Sequence, residues 1–188
     1  SIKRLKNPKS KVSCHFLINK KGVVTQIAKV NKTAWHAGKS KWKKYVNLNS
    51  SSIGIELENK GHKKGYESFS HLQIKSLINL SISIKKKYKI KRENFLGHSD
   101  ISPLRKIDPG EKFPWQKLSK FNLGYWYTSN LKKFFFEKNK NHRKMFFRNL
   151  FKIGYRYFQI NKKNSKNDRL VIKAFQQRYN PSKVTGKI

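Results

Sequence analysis

Every segment with strand character in this chain lies before residue 100, and nothing beyond Tyr127 reads as a strand. A sheet must therefore come from the first part of the chain, and the rest must pack as helices. Val12 to Ile18 (VSCHFLI) is a short apolar run of strand type. Asn19-Lys20-Lys21-Gly22 is a turn signal, and Val23 to Ala28 (VVTQIA) is β-branched enough to return as a hairpin partner. Ser52 to Glu58 (SIGIELE) alternates, with Ile53, Ile55 and Leu57 on one face and Glu56 and Glu58 on the other. Residues 31–50 are polar, contain Trp35-His36-Ala37-Gly38 and read as a loop. Phe95 to His98 predicts a short buried strand ending in a histidine, followed by a loop over 99–113 with Pro103, Pro109 and Gly110. A helix is expected from Ser70, its N-cap, to about Tyr88, on the spacing of Leu72, Leu77, Leu80 and Ile84. Pro114-Trp115 opens a short one, because proline suits a first helical turn. Composition changes near Tyr127, which places a domain boundary at about 128. Beyond it, helices are expected over 129–137, over 142–153 ending at Gly154, and over 168–179 ending before Pro181, the last capped by Asn167 or Asp168.

Charge narrows the class less than its size suggests. The 188 residues carry 45 Lys and Arg against 9 Asp and Glu, a formal net charge of +36. Lysine supplies 37 of the basic residues and arginine only 8, spread along the whole chain. Proteins that read phosphates by geometry favour the arginine fork. A coding bias that decorates a solvated surface explains such a spread. So does attraction to a polyanion: nucleic acid, an anionic membrane face or an anionic wall polymer. The charge alone does not choose, but it makes each surviving acidic residue informative. Hydrophobic residues at 36% and aromatics at 13% exclude a disordered polycation. No run of eighteen apolar residues is present to span a membrane. A single cysteine, Cys14, excludes an internal disulfide framework and a cysteine-only zinc cluster.

The sharpest constellation is GHSDISPLRKIDPG, residues 97–110. A histidine and an aspartate ten residues on, across a proline-containing loop, can converge on one ion, and imidazole nitrogen and carboxylate oxygen are both normal zinc ligands. The same two side chains can instead satisfy backbone groups of the turn, since two ligands do not make a site. Lys106 would point a cation at the same pocket.

This segment resembles the second signature of the zinc-dependent N-acetylmuramoyl-L-alanine amidases of type 2, which share a fold with the peptidoglycan recognition proteins. VSCHFLINKKGVVTQIAKVNKTAWHAG (12–38) and SIGIELEN (52–59) match in the same order, so the resemblance covers most of residues 1–120. It implies an α/β fold, a mixed β-sheet flanked by helices with a zinc cleft over the sheet, for an amidase domain over 1–128. It also implies that His98 and Asp108 are zinc ligands, that Glu56 is the catalytic glutamate and that Lys106 is the lysine beside the metal. The bond cut would be the amide between the lactyl group of N-acetylmuramic acid and L-alanine. The family's first zinc ligand is a histidine on an early strand. Only eleven residues precede Val12 and none is histidine, so an N-terminally truncated chain with its third ligand outside it is expected.

Other residues have local readings. His15 stands where the family often has histidine, in a packing or hydrogen-bonding role. Trp35 and His36 lie in a loop that the family places at the cleft rim, where His36 either contacts substrate or completes a turn. Cys14 reads as a buried small side chain with no base beside it. Glu58 ranks behind Glu56, because the family match falls on Glu56.

Residues 142–188 resemble a three-helix peptidoglycan-binding domain through LFKIGY (150–155), VIKAFQQRY (171–179) and Pro181 to Gly186, and the chain stops before that motif's usual end. A small all-α three-helix domain over 129–188 is expected to raise local concentration at the wall without touching the chemistry. The partner implied is peptidoglycan or a muropeptide, with zinc as cofactor. The compartment implied is the bacterial cell envelope, periplasmic or outer-membrane associated, with a cytoplasmic recycler as the alternative. Two competing functions remain open: a recognition module that holds muropeptides without cutting them, motivated by the missing histidine, and a nucleic-acid binder, motivated only by charge. No specific nucleic acid is expected, because the lysines are diffuse and the aromatics fall in apolar patterns.

Overall fold

The computed structural model describes residues 12–127, 142–163 and 165–188. These fall into two compact units, one of residues 12–40 and 45–95, the other of residues 41–44 and the described residues from 96 onward. The strands are β1 (Phe16–Ile18), β2 (Val24–Gln26), β3 (Lys41–Trp42), β4 (Tyr45–Val46) and β5 (Ile55–Leu57). The first unit is built on a sheet of order β2-β1-β5. β1 runs antiparallel to β2, with Phe16 opposite Gln26 and Ile18 opposite Val24, so the expected hairpin forms. On its other side β1 runs parallel to β5, with Leu17 beside Glu56. The sheet is mixed, as the resemblance implies.

Helix α1 (His71–Tyr88) covers this sheet. Ser70 caps it by accepting the Gln73 amide at 3.1 Å. Ile74, Leu77, Ile78 and Ile84 form its buried stripe. At about 1.5–3 kcal/mol each, these four outweigh a cap worth about 1 kcal/mol, so packing holds the helix in place. Leu72, expected on that face, is exposed. Two positions before Ile74, it falls on the opposite side of the helix. Gln73 is buried, and its amide nitrogen donates to the Ile18 carbonyl at 2.9 Å and to the Glu58 carbonyl at 3.1 Å, bridging β1 and β5.

Residues 31–50 are less irregular than expected. They hold β3, β4 and a 3-10 turn over Leu48–Ser50. Buried Ser40 organises the stretch, since its hydroxyl accepts the Leu48 amide at 3.0 Å and its carbonyl the Asn47 amide at 2.9 Å.

In the second unit the expected strand at Phe95–His98 is absent. His98 opens a short helix, α2 (His98–Ile101). The Asp100 carboxylate accepts the Gly97 amide at 2.8 Å, a local side-chain bond that competes with strand pairing. Helix α3 (Trp115–Ser119) follows Pro114 as expected. α4 (His142–Ile153) ends at Gly154, also as expected. α5 (Ser165–Tyr179) begins three residues earlier than its spacing predicts. Asp168 is therefore inside the helix rather than its cap, and its Oδ2 accepts from Arg143 Nη2 at 2.7 Å and Nε at 3.1 Å. Phe147, Leu150, Val171 and Ala174 are buried, and the Phe146 ring of α4 meets the Phe175 ring of α5 edge-on at 5.6 Å. The helix expected over 129–137 and the boundary expected near 128 lie outside the described residues. Among the described residues, no helix is long and apolar enough to cross a membrane.

Candidate active site

The residues singled out in the sequence divide between the units. Trp35, His36 and Glu56 belong to the first; His98, Lys106 and Asp108 belong to the second.

Within the first unit, β5 carries Glu56 half-buried. Cys14 lies beside it, fully buried. Burial and the Glu56 charge push the Cys14 thiol up to about 12, against a smaller opposing effect from the Glu56 backbone amide. A thiol held protonated in this way is no nucleophile. Glu58 faces other work, its carboxylate accepting the Lys20 amide at 3.1 Å in the β1–β2 turn. His15 is 1% exposed, and both its ring nitrogens meet backbone: Nδ1 accepts the Gly54 amide at 2.9 Å and Nε2 faces the Lys32 carbonyl at 3.0 Å. That bonding assigns the neutral ring protonated on Nε2 and a structural role. His36 crosses Gly54 so closely that a Cβ there would stand 2.3 Å from its ring, which explains the glycine in the SIGIE strand. Its Nε2 faces the Ser52 carbonyl at 3.3 Å. Trp35 is fixed by its backbone, which bonds both ways with Ser13, while the residue as a whole is 59% exposed.

The second unit brings His98 and Asp108 together. His98 Nδ1 and Asp108 Oδ2 are 3.0 Å apart, with the His98 side chain 15% exposed and that of Asp108 52% exposed. Backbone bonds close the loop between them: the Ser99 amide donates to the Asp108 carbonyl at 2.8 Å, and the Ser102 amide to the His98 carbonyl at 2.9 Å. The peptide bond between Asp108 and Pro109 is cis. Gly97 admits the Pro109 ring, because a Cβ at 97 would lie 2.6 Å from Pro109 Cδ. Burial tends to raise the Asp108 pKa, yet the His98 hydrogen bond, the His98 charge and the Lys106 charge together hold it below the ordinary carboxylate value. Lys106 is thus electrostatically part of the pair, its own amide bonded to the Ser102 carbonyl at 2.9 Å.

One imidazole nitrogen and one carboxylate oxygen side by side are donors of the kind zinc takes, so the residues fit as two of its ligands. Among the described residues no group of three His, Cys, Asp or Glu is poised for a metal.

A family model for N-acetylmuramoyl-L-alanine amidases matches residues 1–111. The N-acetylmuramoyl-L-alanine amidase AmiD of Escherichia coli is 36% identical over 190 residues, covering 94% of this chain and 69% of that protein. The chain belongs to the N-acetylmuramoyl-L-alanine amidase family. This amidase is therefore an enzyme that hydrolyses the amide for which the family is named. It is also 43% identical over 108 residues to the 1,6-anhydro-N-acetylmuramyl-L-alanine amidase AmpD of Haemophilus influenzae, which covers 57% of this chain and 56% of that one. A solved complex of E. coli AmiD with the substrate anhydro-N-acetylmuramic acid-L-Ala-D-gamma-Glu-L-Lys has a TM-score of 0.87 at 33% identity, covering all of this chain and 77% of that one. The structure of AmpDh3 from Pseudomonas aeruginosa has a TM-score of 0.84 at 27% identity, again over the whole chain and 80% of its counterpart.

The structure adds residues that the sequence does not single out. Arg105 lies within the same segment, and its Nη2 is 3.2 Å from Ser102 Oγ and 3.4 Å from His98 Nε2. Tyr157 also neighbours this group. Burial raises its pKa, opposed by its hydrogen bond to Ser102 and the Arg105 charge. Tyr157 has φ 74°, a conformation that disfavours any side chain and costs about 1–3 kcal/mol, and such strain clusters at working sites. No local pattern around Tyr157 could have announced it.

Proposed function

We propose that this amidase cuts the amide between N-acetylmuramic acid and L-alanine with zinc held in part by His98 and Asp108. The observation that carries the reading is the 3.0 Å approach of His98 Nδ1 to Asp108 Oδ2 inside the family's own loop. A bound zinc ion would lower the pKa of its water and polarise the scissile carbonyl. Such an ion normally takes three protein ligands, so a further donor is required from outside the described residues. Glu56 takes the proton from the attacking water and returns one to the departing amine. Lys106 sets a cation against the oxyanion of the tetrahedral intermediate. Trp35, an exposed residue, and His36 beside it contact the muropeptide.

The substrate class is muropeptide, including the soluble anhydro form, on the strength of the likeness to AmiD bound to such a ligand. The helices over 142–188 serve as a peptidoglycan-binding element and the site of action is the cell envelope. A non-catalytic recognition module is the second reading, favoured by the presence of only two metal donors together among the described residues. Incubation with anhydro-N-acetylmuramyl tripeptide separates them. The amidase releases free peptide beginning with L-alanine in a zinc-dependent manner, and the Glu56→Gln variant does not. Binding without peptide release would establish the recognition module.

A further inference from the structure

The loop that carries the metal pair is braced by residues far along the chain. Asp100 is 1% exposed, two residues after His98. Its Oδ2 accepts the Gly97 amide at 2.8 Å and Arg178 Nη1 at 2.6 Å, and its Oδ1 accepts the Tyr155 hydroxyl. Arg178 is 4% exposed, with its guanidinium 3.9 Å from the Trp115 ring centroid. Tyr155 is fully buried, edge-on to Trp42 at 5.2 Å. A carboxylate taken this far from water is tolerated only when paired and hydrogen-bonded. Its two partners come from 78 and 55 residues away, on and just after the C-terminal helices.

What Asp100 holds is the entry to α2. The Gly97 amide directly precedes His98, the Asp100 amide returns to the Gly97 carbonyl at 3.1 Å, and the Ser99 amide between His98 and Asp100 donates to the Asp108 carbonyl at 2.8 Å. Without its countercharge the carboxylate must draw in water or turn outward, and either releases Gly97 and the turn that aims the imidazole. We propose that Asp100, Arg178 and Tyr155 are positioning residues for the His98–Asp108 pair, so that the C-terminal helices are part of the metal loop's scaffold as well as an appended binding element. This rests on the zinc reading above. Outer residues that orient metal ligands commonly change affinity or activity by about 10–100-fold.

An internal control exists in the Arg143–Asp168 pair, which joins α4 to α5 and ties Arg143 to the carbonyls of Gln159, Ile160 and Lys162. The test compares the full chain with Arg178→Gln, Tyr155→Phe, Asp100→Asn/Arg178→Gln and Arg143→Gln. Zinc affinity is measured by competition with a chromophoric chelator, kcat and KM on a soluble muropeptide, and the thermal midpoint on each variant. Arg178→Gln is expected to weaken zinc binding by about 10–100-fold and to lower kcat with KM moving less than about twofold. The double variant should recover much of that affinity, because a neutral amide still accepts from Gly97 and needs no countercharge. Arg143→Gln should lower the thermal midpoint and leave zinc affinity unchanged. Should Arg178→Gln not fold, Tyr155→Phe, which removes one oxygen, carries the comparison with a smaller loss in the same direction. Normal zinc affinity in both Arg178→Gln and Tyr155→Phe, or an equal loss in Arg143→Gln, would overturn the positioning role alone. A wild-type chain that holds no zinc would overturn the metal reading and the positioning role together.

Discussion

Glu56 and His98 are held in opposite ways. Glu56 stands on β5, whose backbone is paired with β1 and locked by the Gln73 amide, so its place follows from strand register and a few short hydrogen bonds. His98 stands at the head of a four-residue helix that could not persist alone. Its place depends on a buried charge, Asp100, and on the two side chains that neutralise or bond it. Regular backbone fixes one residue and a long-range polar cluster fixes the other. The first arrangement tolerates loss of single side chains; the second concentrates the loop's geometry in three of them.

The largest expected effects lie at His98 and Asp108. His98→Ala and Asp108→Ala should each lose zinc and depress turnover by more than about 10³-fold, the several kcal/mol that a metal supplies to such a reaction. Metal analysis beside the rate assay checks that both fall together. Glu56→Gln sharpens the contrast: it should retain zinc and lose about 10²–10⁴-fold in kcat, the usual worth of a positioned general base. Normal turnover would remove Glu56 from the mechanism.

A smaller effect is expected where the first unit is bridged. Gln73→Ala strips a hydrogen bond from the buried Ile18 carbonyl and another from the part-buried Glu58 carbonyl, and should cost about 1 kcal/mol in denaturant unfolding. Zinc affinity should stay unchanged, because the hydrogen bonds of Gln73, to Ser70, Ile18 and Glu58, lie within the first unit. A large zinc effect would break the division drawn between the units.

The Cys14 thiol gives the finest test. Held at about 12, it should react with iodoacetamide at pH 8 on the order of 10³-fold more slowly than a free cysteine. The folded pKa lies above the unfolded value near 8.5, so the folded state keeps its proton longer. Stability from this group is intact below about pH 8.5 and declines as pH rises towards 12, by on the order of 2 kcal/mol at pH 10 relative to Cys14→Ala. Glu56→Gln should make the thiol easier to ionise, though burial, the larger cause, still holds it up.

The same contrast explains what could be read in advance. The β1–β2 hairpin, β5, the Ser70 cap and the stop at Gly154 are local signals, carried by periodicity, turn residues and capping chemistry within a few positions. His98, Lys106 and Asp108 can be placed near one another from sequence because one short segment holds all three, whereas on its strand only the family resemblance sets Glu56 apart from Glu58. The apolar run Phe95–His98 reads as a strand, but the Asp100 side chain overrules it by accepting the Gly97 amide. Asn167 and Asp168 both read as caps, yet both lie inside α5, and the partner that holds Asp168 there, Arg143, is 25 residues earlier. Arg178, Tyr155 and Tyr157 had no signal, since nothing near them in sequence states that Asp100, Ser102 or Arg105 is their neighbour.

The most direct test is a zinc titration of the protein beside its His98→Ala and Asp108→Ala variants, read by competition with a chelator and confirmed by elemental analysis. The account predicts zinc binding that either substitution abolishes. Absence of zinc from the unaltered protein, or its retention by both variants, would contradict the assignment of His98 and Asp108 as the metal pair.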